Sequence, residues 1–157
     1  MVTSPLQKNI SKMIKINILF VCKHNIFRSQ IAEDFFNKLN KNKKYRAESA
    51  GIIKWDKKDL RNDKGYQAEK KIARNFGIKM RENSRGLSSS LLKMVDIVII
   101  VADDVSSSIF KDKSFKGKVI VWKTPDVKPR DTKKEKIALK SIRYIENKVK
   151  ELVEKLK

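Results

Sequence analysis

Apolar residues in this chain form short continuous runs, separated by longer segments in which they recur at helical spacing. The runs are typical of strands buried on both faces, and the segments are typical of amphipathic helices. Strands that alternate with helices along a chain predict an α/β fold with a parallel sheet. Strands are predicted at residues 14–21, 45–50, 95–101 and 119–122, and helices near 31–39, 68–76, 105–110 and from about 132 onward.

The first helix follows Ser29, which we expect to act as its N-cap. Gly77 is expected to end the second helix. Residues 1–13 show neither the strand pattern nor the helical pattern of apolar residues, and they mix Ser, Pro, Gln, Asn and Lys. We therefore predict a flexible N-terminal tail there. The remainder carries no internal repeat or low-complexity segment, and 157 residues suffice for one core. We therefore predict a single domain over residues 14–157.

The chain is strongly basic, with 38 Lys and Arg against 18 Asp and Glu, a formal net charge of +20. Such a field attracts anions, including nucleic acid, anionic lipid and phosphorylated substrates. Most of the basic residues are lysines, and acidic residues interrupt their runs. Nucleic-acid surfaces more often concentrate arginine and interleave aromatic residues. This distribution favours a solvated lysine-rich surface, with no obligatory nucleic-acid partner.

No apolar run approaches the roughly 20 residues that a membrane-spanning helix needs. The apolar run before Cys22 follows lysines but is too short for a signal peptide, so we predict a cytoplasmic protein without membrane contact. Cys22 is the only cysteine. A single thiol cannot form an internal disulfide or a cysteine-rich metal cluster, so Cys22 is either an inert core residue or a nucleophile.

The segment from Cys22 to Ser29 begins where a predicted strand ends and finishes where a helix begins. Ligands of open α/β sheets bind at this edge, and backbone N–H groups of such a loop bind anions. The same positive field favours a thiolate at Cys22. Arg28 offers a planar fork to two phosphate oxygens, and Ser29 offers a hydrogen bond to the sulfur. We interpret the segment as a phosphate-binding loop after the first strand.

Residues 20–33, Phe-Val-Cys-Lys-His-Asn-Ile-Phe-Arg-Ser-Gln-Ile-Ala-Glu, resemble the start of the low-molecular-weight protein tyrosine phosphatase family and its arsenate-reductase relatives. That pattern runs Phe-Val-Cys-x-Gly-Asn-x-Cys-Arg-Ser-x-x-Ala-Glu, and the resemblance continues through Ser49, Ala50 and Gly51 to the C-terminal helix. It implies a three-layer sandwich with a four-stranded parallel sheet, and it implies neither metal nor other cofactor. It also implies a phosphate monoester hydrolase that acts on phosphotyrosine in proteins through a cysteinyl-phosphate.

The resemblance implies an acid loop before the C-terminal helix, in which an aspartate precedes proline. Asp126 stands at the matching position, followed by Val127 where the family has proline. The catalytic set is therefore Cys22, Arg28 and Asp126, with Asp131 as the fallback acid.

Two positions of the loop depart from the family pattern. His24 replaces a glycine, and histidine tolerates a positive φ better than most residues if that site requires one. Phe27 replaces a second cysteine, so no protective disulfide can form. Ile26 resembles tyrosine-directed members, because members that act on phosphoarginine tend to have threonine there. Trp55 matches a tryptophan that lines the aromatic pocket. The residues expected to contact substrate are Lys23, His24, Asn25, Ile26, Phe27, Ser29 and Trp55.

Two alternatives remain open at the level of sequence. An arsenate reductase would require an external thiol, because the chain has no second cysteine to resolve an intermediate. A non-catalytic protein that binds anions or RNA would account for the departures at His24 and Val127, although the intact Cys22 and Arg28 argue against it. Phosphatase activity or arsenate-dependent thiol oxidation would distinguish these classes.

Overall fold

The computed structural model describes residues 15–53, 62–81 and 83–157. The predicted tail at residues 1–13 and the predicted pocket residue Trp55 lie outside the described residues. The described chain contains four strands and five helices. They are β1 (Ile16–Cys22), α1 (Arg28–Leu39), β2 (Tyr45–Gly51), α2 (Lys64–Asn75), α3 (Ser89–Lys93), β3 (Ile97–Val101), α4 (Ser108–Asp112), β4 (Lys118–Trp122) and α5 (Lys134–Lys155).

The strands form one sheet in the order β2-β1-β3-β4, and every neighbouring pair is parallel. The four-stranded parallel sheet is thereby confirmed. The chain leaves β1 toward β2 on one side and then crosses to β3 on the other. Such a change of direction opens a crevice at the carboxyl ends of the two central strands, where ligands of these sheets bind.

Helices cover both faces of the sheet, which gives the predicted three-layer sandwich. Phe20 and Ile99 point to the face that α1, α2 and α5 cover, whereas Leu19 and Val98 point to the face that α3 and α4 cover. Successive strand side chains alternate between the two faces, and both faces are buried. This is why the strands appear in the sequence as continuous apolar runs.

The expected N-cap role of Ser29 is wrong. Helix α1 begins at Arg28, its N-cap position is Phe27, and no side chain caps it. Ser29 lies inside the first turn with its hydroxyl directed into the loop, where it bonds to other side chains. The C-terminal boundary of α2 behaves as expected, since Gly77 follows it with φ 71°.

Helix α3 has no counterpart among the predicted helices. It has only five residues, and the hydroxyl of Ser88 accepts a hydrogen bond from the Leu91 amide at its start. A segment this short presents too little periodicity to be recognised from its apolar positions. Within the described part of the chain, no helix combines the length and the apolar character needed to cross a membrane.

Candidate active site at the carboxyl ends of β1 and β3

The loop after Cys22 is held against the continuation of β2. The amide of Ile52 donates to the Cys22 carbonyl (3.1 Å), and the amide of Ile53 donates to the Lys23 carbonyl (2.8 Å). Gly51 approaches the loop so closely that a Cβ at this position would lie 2.6 Å from the His24 carbonyl carbon. The loop backbone therefore rests on a surface that requires glycine.

The sulfur of Cys22 lies inside this loop and has two polar neighbours. It is 3.0 Å from the Ser29 hydroxyl oxygen, and the Asn25 amide donates to it at 3.2 Å. The residue is 2% exposed. The Asn25 amide donates to the sulfur and the Ser29 hydroxyl lies within hydrogen-bond distance of it, so both groups fix the position of the sulfur in the loop.

Asn25 connects the loop to its surroundings. Its side-chain amide donates to the hydroxyls of Ser29 (2.7 Å) and Ser49 (2.9 Å), and its side-chain carbonyl accepts from the Arg85 amide (2.9 Å). Its φ is 56°, a left-handed conformation that asparagine tolerates better than most residues. One side chain thus connects the loop to helix α1, to strand β2 and to the segment around Arg85.

His24 does not occupy the left-handed position of the loop. The non-glycine residues with positive φ in the described chain are Asn25 and Ser114, so replacing glycine by His24 carries no such strain. The imidazole is half-buried, and burial together with the charge of Lys23 lowers its pKa. A histidine of this kind is predominantly neutral at pH 7.

Arg28 is buried, with 2% of its side chain exposed, and one carbonyl and three carboxylates surround its guanidinium. One terminal nitrogen donates to the Thr124 carbonyl at 2.9 Å. The guanidinium lies 3.0 Å from Asp104, 3.6 Å from Asp103 and 3.8 Å from Asp126. Burial by itself lowers the pKa of Arg28, but Cys22, Asp126 and Asp104 raise it to above the ordinary arginine value.

Asp126 comes to the site from the loop between β4 and α5. One carboxylate oxygen accepts a hydrogen bond from the Val127 amide at 3.0 Å, and the other faces Arg28. Burial raises the pKa of Asp126, and Asp104 adds to this, although Arg28 opposes it. A carboxyl of this kind retains its proton closer to neutral pH than an exposed aspartate does.

Val127 and Asp131 show how this loop is built without the expected proline. Val127 is buried in the core, where its apolar side chain anchors the loop. Asp131 accepts from the Lys128 amide at 2.8 Å, and so closes a turn on the far side. The two candidate acids are thereby separated in position: Asp126 contacts Arg28, and Asp131 braces the loop.

Glu69, on helix α2, is a buried carboxyl near the same residues. It is 1% exposed, and its Oε2 atom has no hydrogen-bond partner. Burial raises its pKa to well above the ordinary glutamate value, and the charge of Asp126 adds to the effect. Glu69 therefore keeps its proton to a higher pH than an exposed glutamate does, which limits the negative charge around Arg28.

The predicted substrate-contact residues fall into distinct groups. Lys23 and His24 are half-buried on the loop, whereas the side chains of Ile26 and Phe27 pack into the core. The side chains of Asn25 and Ser29 are occupied by internal hydrogen bonds. The loop therefore offers a phosphoryl group mainly its backbone amides and the Arg28 guanidinium.

Several residues of the site were not singled out from the sequence. Asp103 and Asp104 lie just after Ala102, at the carboxyl end of β3, which is the strand beside β1. Their position at this edge of the sheet is the signal that could have identified them. Gln30 and Arg81 form a reciprocal pair through side chain and backbone, at 2.7 and 3.2 Å. Arg81 also donates to the Ser49 hydroxyl at 2.9 Å, and nothing in the local sequence of Arg81 predicts that contact.

The chain was compared with known proteins. A family model described as low molecular weight phosphotyrosine protein phosphatase matches residues 17–157. An arsenate reductase from Archaeoglobus fulgidus is 28% identical, with 87% of this chain and 98% of that chain covered and a TM-score of 0.62. A protein tyrosine phosphatase from Entamoeba histolytica is 25% identical, with 90% and 96% covered and a TM-score of 0.63.

A third solved structure, a mutant of YwlE from Bacillus subtilis, is 21% identical, with 90% of this chain and 99% of that chain covered and a TM-score of 0.69. At that identity the likeness concerns the fold alone. No curated protein matches the chain. The family model nevertheless extends over almost all of the predicted domain, and the sheet order and the loop agree with it. The chain therefore belongs to the low molecular weight phosphotyrosine protein phosphatase family.

Proposed function

We propose that this protein is a cysteine-dependent phosphatase that hydrolyses phosphotyrosine in proteins. Family membership supports phosphatase chemistry in general. The observation that carries the proposal is the convergence of three groups on one loop. The Cys22 sulfur has two hydrogen-bond neighbours, Arg28 is held among carboxylates, and Asp126 lies 3.8 Å from that guanidinium.

In the first step, the Cys22 thiolate attacks phosphorus and the bond from phosphorus to the ester oxygen breaks. The product on the enzyme is a cysteinyl-phosphate. The Ser29 hydroxyl and the Asn25 amide contact the sulfur and fix its position for this attack. No metal is required, since the loop itself supplies the positive field.

Arg28 and the loop amides hold the equatorial oxygens of the transferred phosphoryl group. Positive groups fixed in place before the reaction stabilise the charge that shifts during transfer. The carbonyl of Thr124 and the three carboxylates determine where the guanidinium points. This fixed orientation is the contribution of the acidic residues around Arg28.

Asp126 acts as the acid of the first step and the base of the second. Its raised pKa allows the carboxyl to give its proton to the leaving phenolate oxygen. The resulting carboxylate then takes a proton from water, whose oxygen attacks phosphorus. The sulfur–phosphorus bond breaks, inorganic phosphate is released, and the Cys22 thiolate returns.

Phosphotyrosine is the substrate that the resemblance of Ile26 and Trp55 to tyrosine-directed members favours. A tryptophan ring stacks well on a phenyl ring. The single cysteine also supports a cytoplasmic location, where such substrates occur. The partner we propose is accordingly a phosphorylated protein.

Arsenate reduction is the second candidate, supported by the 28% identity to the arsenate reductase from Archaeoglobus fulgidus. Arsenate has the shape and charge of phosphate and would fit the same loop. Cys22 is the only cysteine, so an external thiol would have to release the product. Consumption of an added thiol that depends on arsenate would therefore identify this activity.

The test is hydrolysis of para-nitrophenyl phosphate and of peptides carrying phosphotyrosine, phosphoserine or phosphoarginine, with a chelator present. Wild type is compared with Cys22→Ser and Asp126→Ala, and with Asp131→Ala as the matched control. We expect preference for phosphotyrosine, no activity in Cys22→Ser, and strong loss in Asp126→Ala but not in Asp131→Ala. Hydrolysis that survives in Cys22→Ser would overturn the mechanism, and preference for another phosphoresidue would overturn the substrate.

A further inference from the structure

A groove of 540 Å³ lies between helix α2 and the start of helix α5. Lys64 and Lys71 line it from α2, and Lys133, Lys134 and Lys136 line it from the opposite side. Five lysines around one groove make a strong local concentration of positive charge. None of the described lining residues is aromatic, and none is an arginine.

Two of these lysines are already engaged. Lys71 pairs with Glu135 at 2.8 Å, and Lys134 donates to the Asp131 carbonyl at 2.6 Å. The side chains of Lys64, Lys133 and Lys136 form no hydrogen bond or ion pair with another described residue. These three cations are exposed and available to a ligand.

The groove begins beside the acid loop. A Cβ on Gly65 would lie 2.6 Å from the Val127 carbonyl oxygen, so the first turn of α2 rests directly on the residue after Asp126. From Lys64 to Lys71 the helix rises about 10 Å. About three residues of extended peptide cover that distance. The groove thus has room for about three residues, and its contact with the acid loop places it next to a substrate whose phosphoryl group lies at Arg28.

The opposite side of the site has the opposite charge. Asp103 and Asp104, at the end of β3, are 40% and 32% exposed, and their carboxylates would repel an acidic segment. The phosphate loop thus has two partly exposed carboxylates toward β3 and, beyond Asp126, the lysines of the groove toward α2 and α5. This asymmetry gives an acidic substrate segment one favourable direction.

We propose that this lysine groove binds acidic side chains of the substrate protein a few residues from the phosphorylated residue. The proposal rests on the proposed phosphatase function, and it adds a sequence preference to it. A polypeptide suits the groove better than nucleic acid does, because the described lining lacks the aromatic residues and arginines on which bases stack. Surface ion pairs of this kind contribute modestly one by one, but three together change affinity measurably.

The test measures binding, so it does not depend on turnover. Peptides with phosphotyrosine and either acidic or neutral flanks are titrated into the Cys22→Ser variant by fluorescence anisotropy at low salt. The groove variant adds Lys64→Glu, Lys133→Glu and Lys136→Glu. The matched control adds Lys44→Glu, Lys116→Glu and Lys118→Glu, with the same change in net charge but at the amino ends of the strands, away from the site.

We expect the acidic peptide to bind about tenfold more tightly than the neutral one, with the difference falling at about 0.5 M salt because the contacts are exposed. The groove variant should lose this preference, and the control variant should keep it. Equal losses in the two variants would show a general effect of net charge and overturn the proposal. The proposal would also be overturned if the acidic peptide showed no preference, or if single-stranded RNA bound the groove more tightly than the acidic peptide does. Hydrolysis of para-nitrophenyl phosphate by the wild-type protein, which retains Cys22, tests the phosphatase function separately.

Discussion

The hydroxyl of Ser29 lies 3.0 Å from the sulfur of Cys22 and accepts a hydrogen bond from the Asn25 side chain at 2.7 Å. Because Asn25 donates to its oxygen, the serine proton is free to point at the sulfur. The three side chains thus form a chain of hydrogen bonds that ends on the Cys22 sulfur. This arrangement, rather than the helix cap expected for Ser29, explains why the hydroxyl is buried.

Replacing Ser29 by alanine should remove the hydroxyl donor to the thiolate. We expect kcat for para-nitrophenyl phosphate to fall about 10- to 100-fold, which corresponds to the loss of one hydrogen bond to a charged group. Alkylation of Cys22 by iodoacetate should slow as well, because the hydroxyl no longer positions the sulfur. Unchanged kcat and unchanged alkylation in Ser29→Ala would mean that the hydroxyl does not assist the nucleophile.

Replacing Asp126 by asparagine should remove one limb of the pH profile. The acid must be protonated in the first step, so kcat for phosphotyrosine should fall as pH rises through the raised pKa of Asp126. In Asp126→Asn that fall should disappear, and kcat should be about 10²–10⁴-fold lower. Asp131→Asn is the control and should retain the wild-type profile. Loss of the limb in the control alone would reassign the acid to Asp131.

Replacing Glu69 by glutamine should stabilise the protein at neutral pH. The folded state holds a proton on Glu69 that the unfolded chain releases above the ordinary glutamate range, so stability falls as pH rises. Glutamine has no such dependence, and its advantage should grow by up to about 1.4 kcal/mol per pH unit until the folded carboxyl ionises. Urea unfolding between pH 4 and 8 measures this.

The exposed Glu151, on helix α5, provides the control for that measurement. Glu151→Gln should change the free energy of unfolding by less than about 0.5 kcal/mol at every pH. If Glu69→Gln showed no more pH dependence than this control, Glu69 would have to be ionised in the folded protein.

Alanine substitutions at two glycines distinguish crowding of the active-site loop from backbone strain far from it. In Gly51→Ala the new Cβ would lie 2.6 Å from the His24 carbonyl carbon, so the loop must move and kcat should fall at least about tenfold. In Gly77→Ala nothing lies within 4 Å of the new atom, but φ is 71°. That variant should lose about 1 kcal/mol of stability and keep its activity. Kinetics and thermal unfolding of both variants check this, and full activity in Gly51→Ala would contradict the description of the loop.

The sequence predicts the fold well where one pattern determines one element. The apolar runs of β1 and β3 have to be buried on both sides, and the loop between β1 and α1 has a recognisable order of residues. The position of the anion-binding loop therefore follows from the order of the elements alone. Helix α3 was not predicted, since its five residues show no clear helical period, and the equally short α4 was predicted with shifted ends, at 105–110 instead of Ser108–Asp112.

The remaining parts of the site depend on contacts between distant segments. Glu69 lies on the same buried face of α2 as Ile72 and Ala73. Its spacing from them therefore indicates burial, whereas its charged side chain alone indicates exposure to solvent. Asp103 and Asp104 become part of the site only because β3 lies beside β1. Likewise, the bond from Arg28 to the Thr124 carbonyl joins residues from opposite halves of the chain.

The most direct test of the central claim is to look for phosphate on Cys22. Asp126→Asn, which should hydrolyse its intermediate slowly, is mixed with para-nitrophenyl phosphate, quenched in acid and analysed by intact-protein and peptide mass spectrometry. We predict the mass of one phosphoryl group on the peptide that contains Cys22, and none in Asp126→Asn combined with Cys22→Ser. Release of para-nitrophenol without any such adduct, or an adduct that persists in the serine double variant at another residue, would contradict the mechanism.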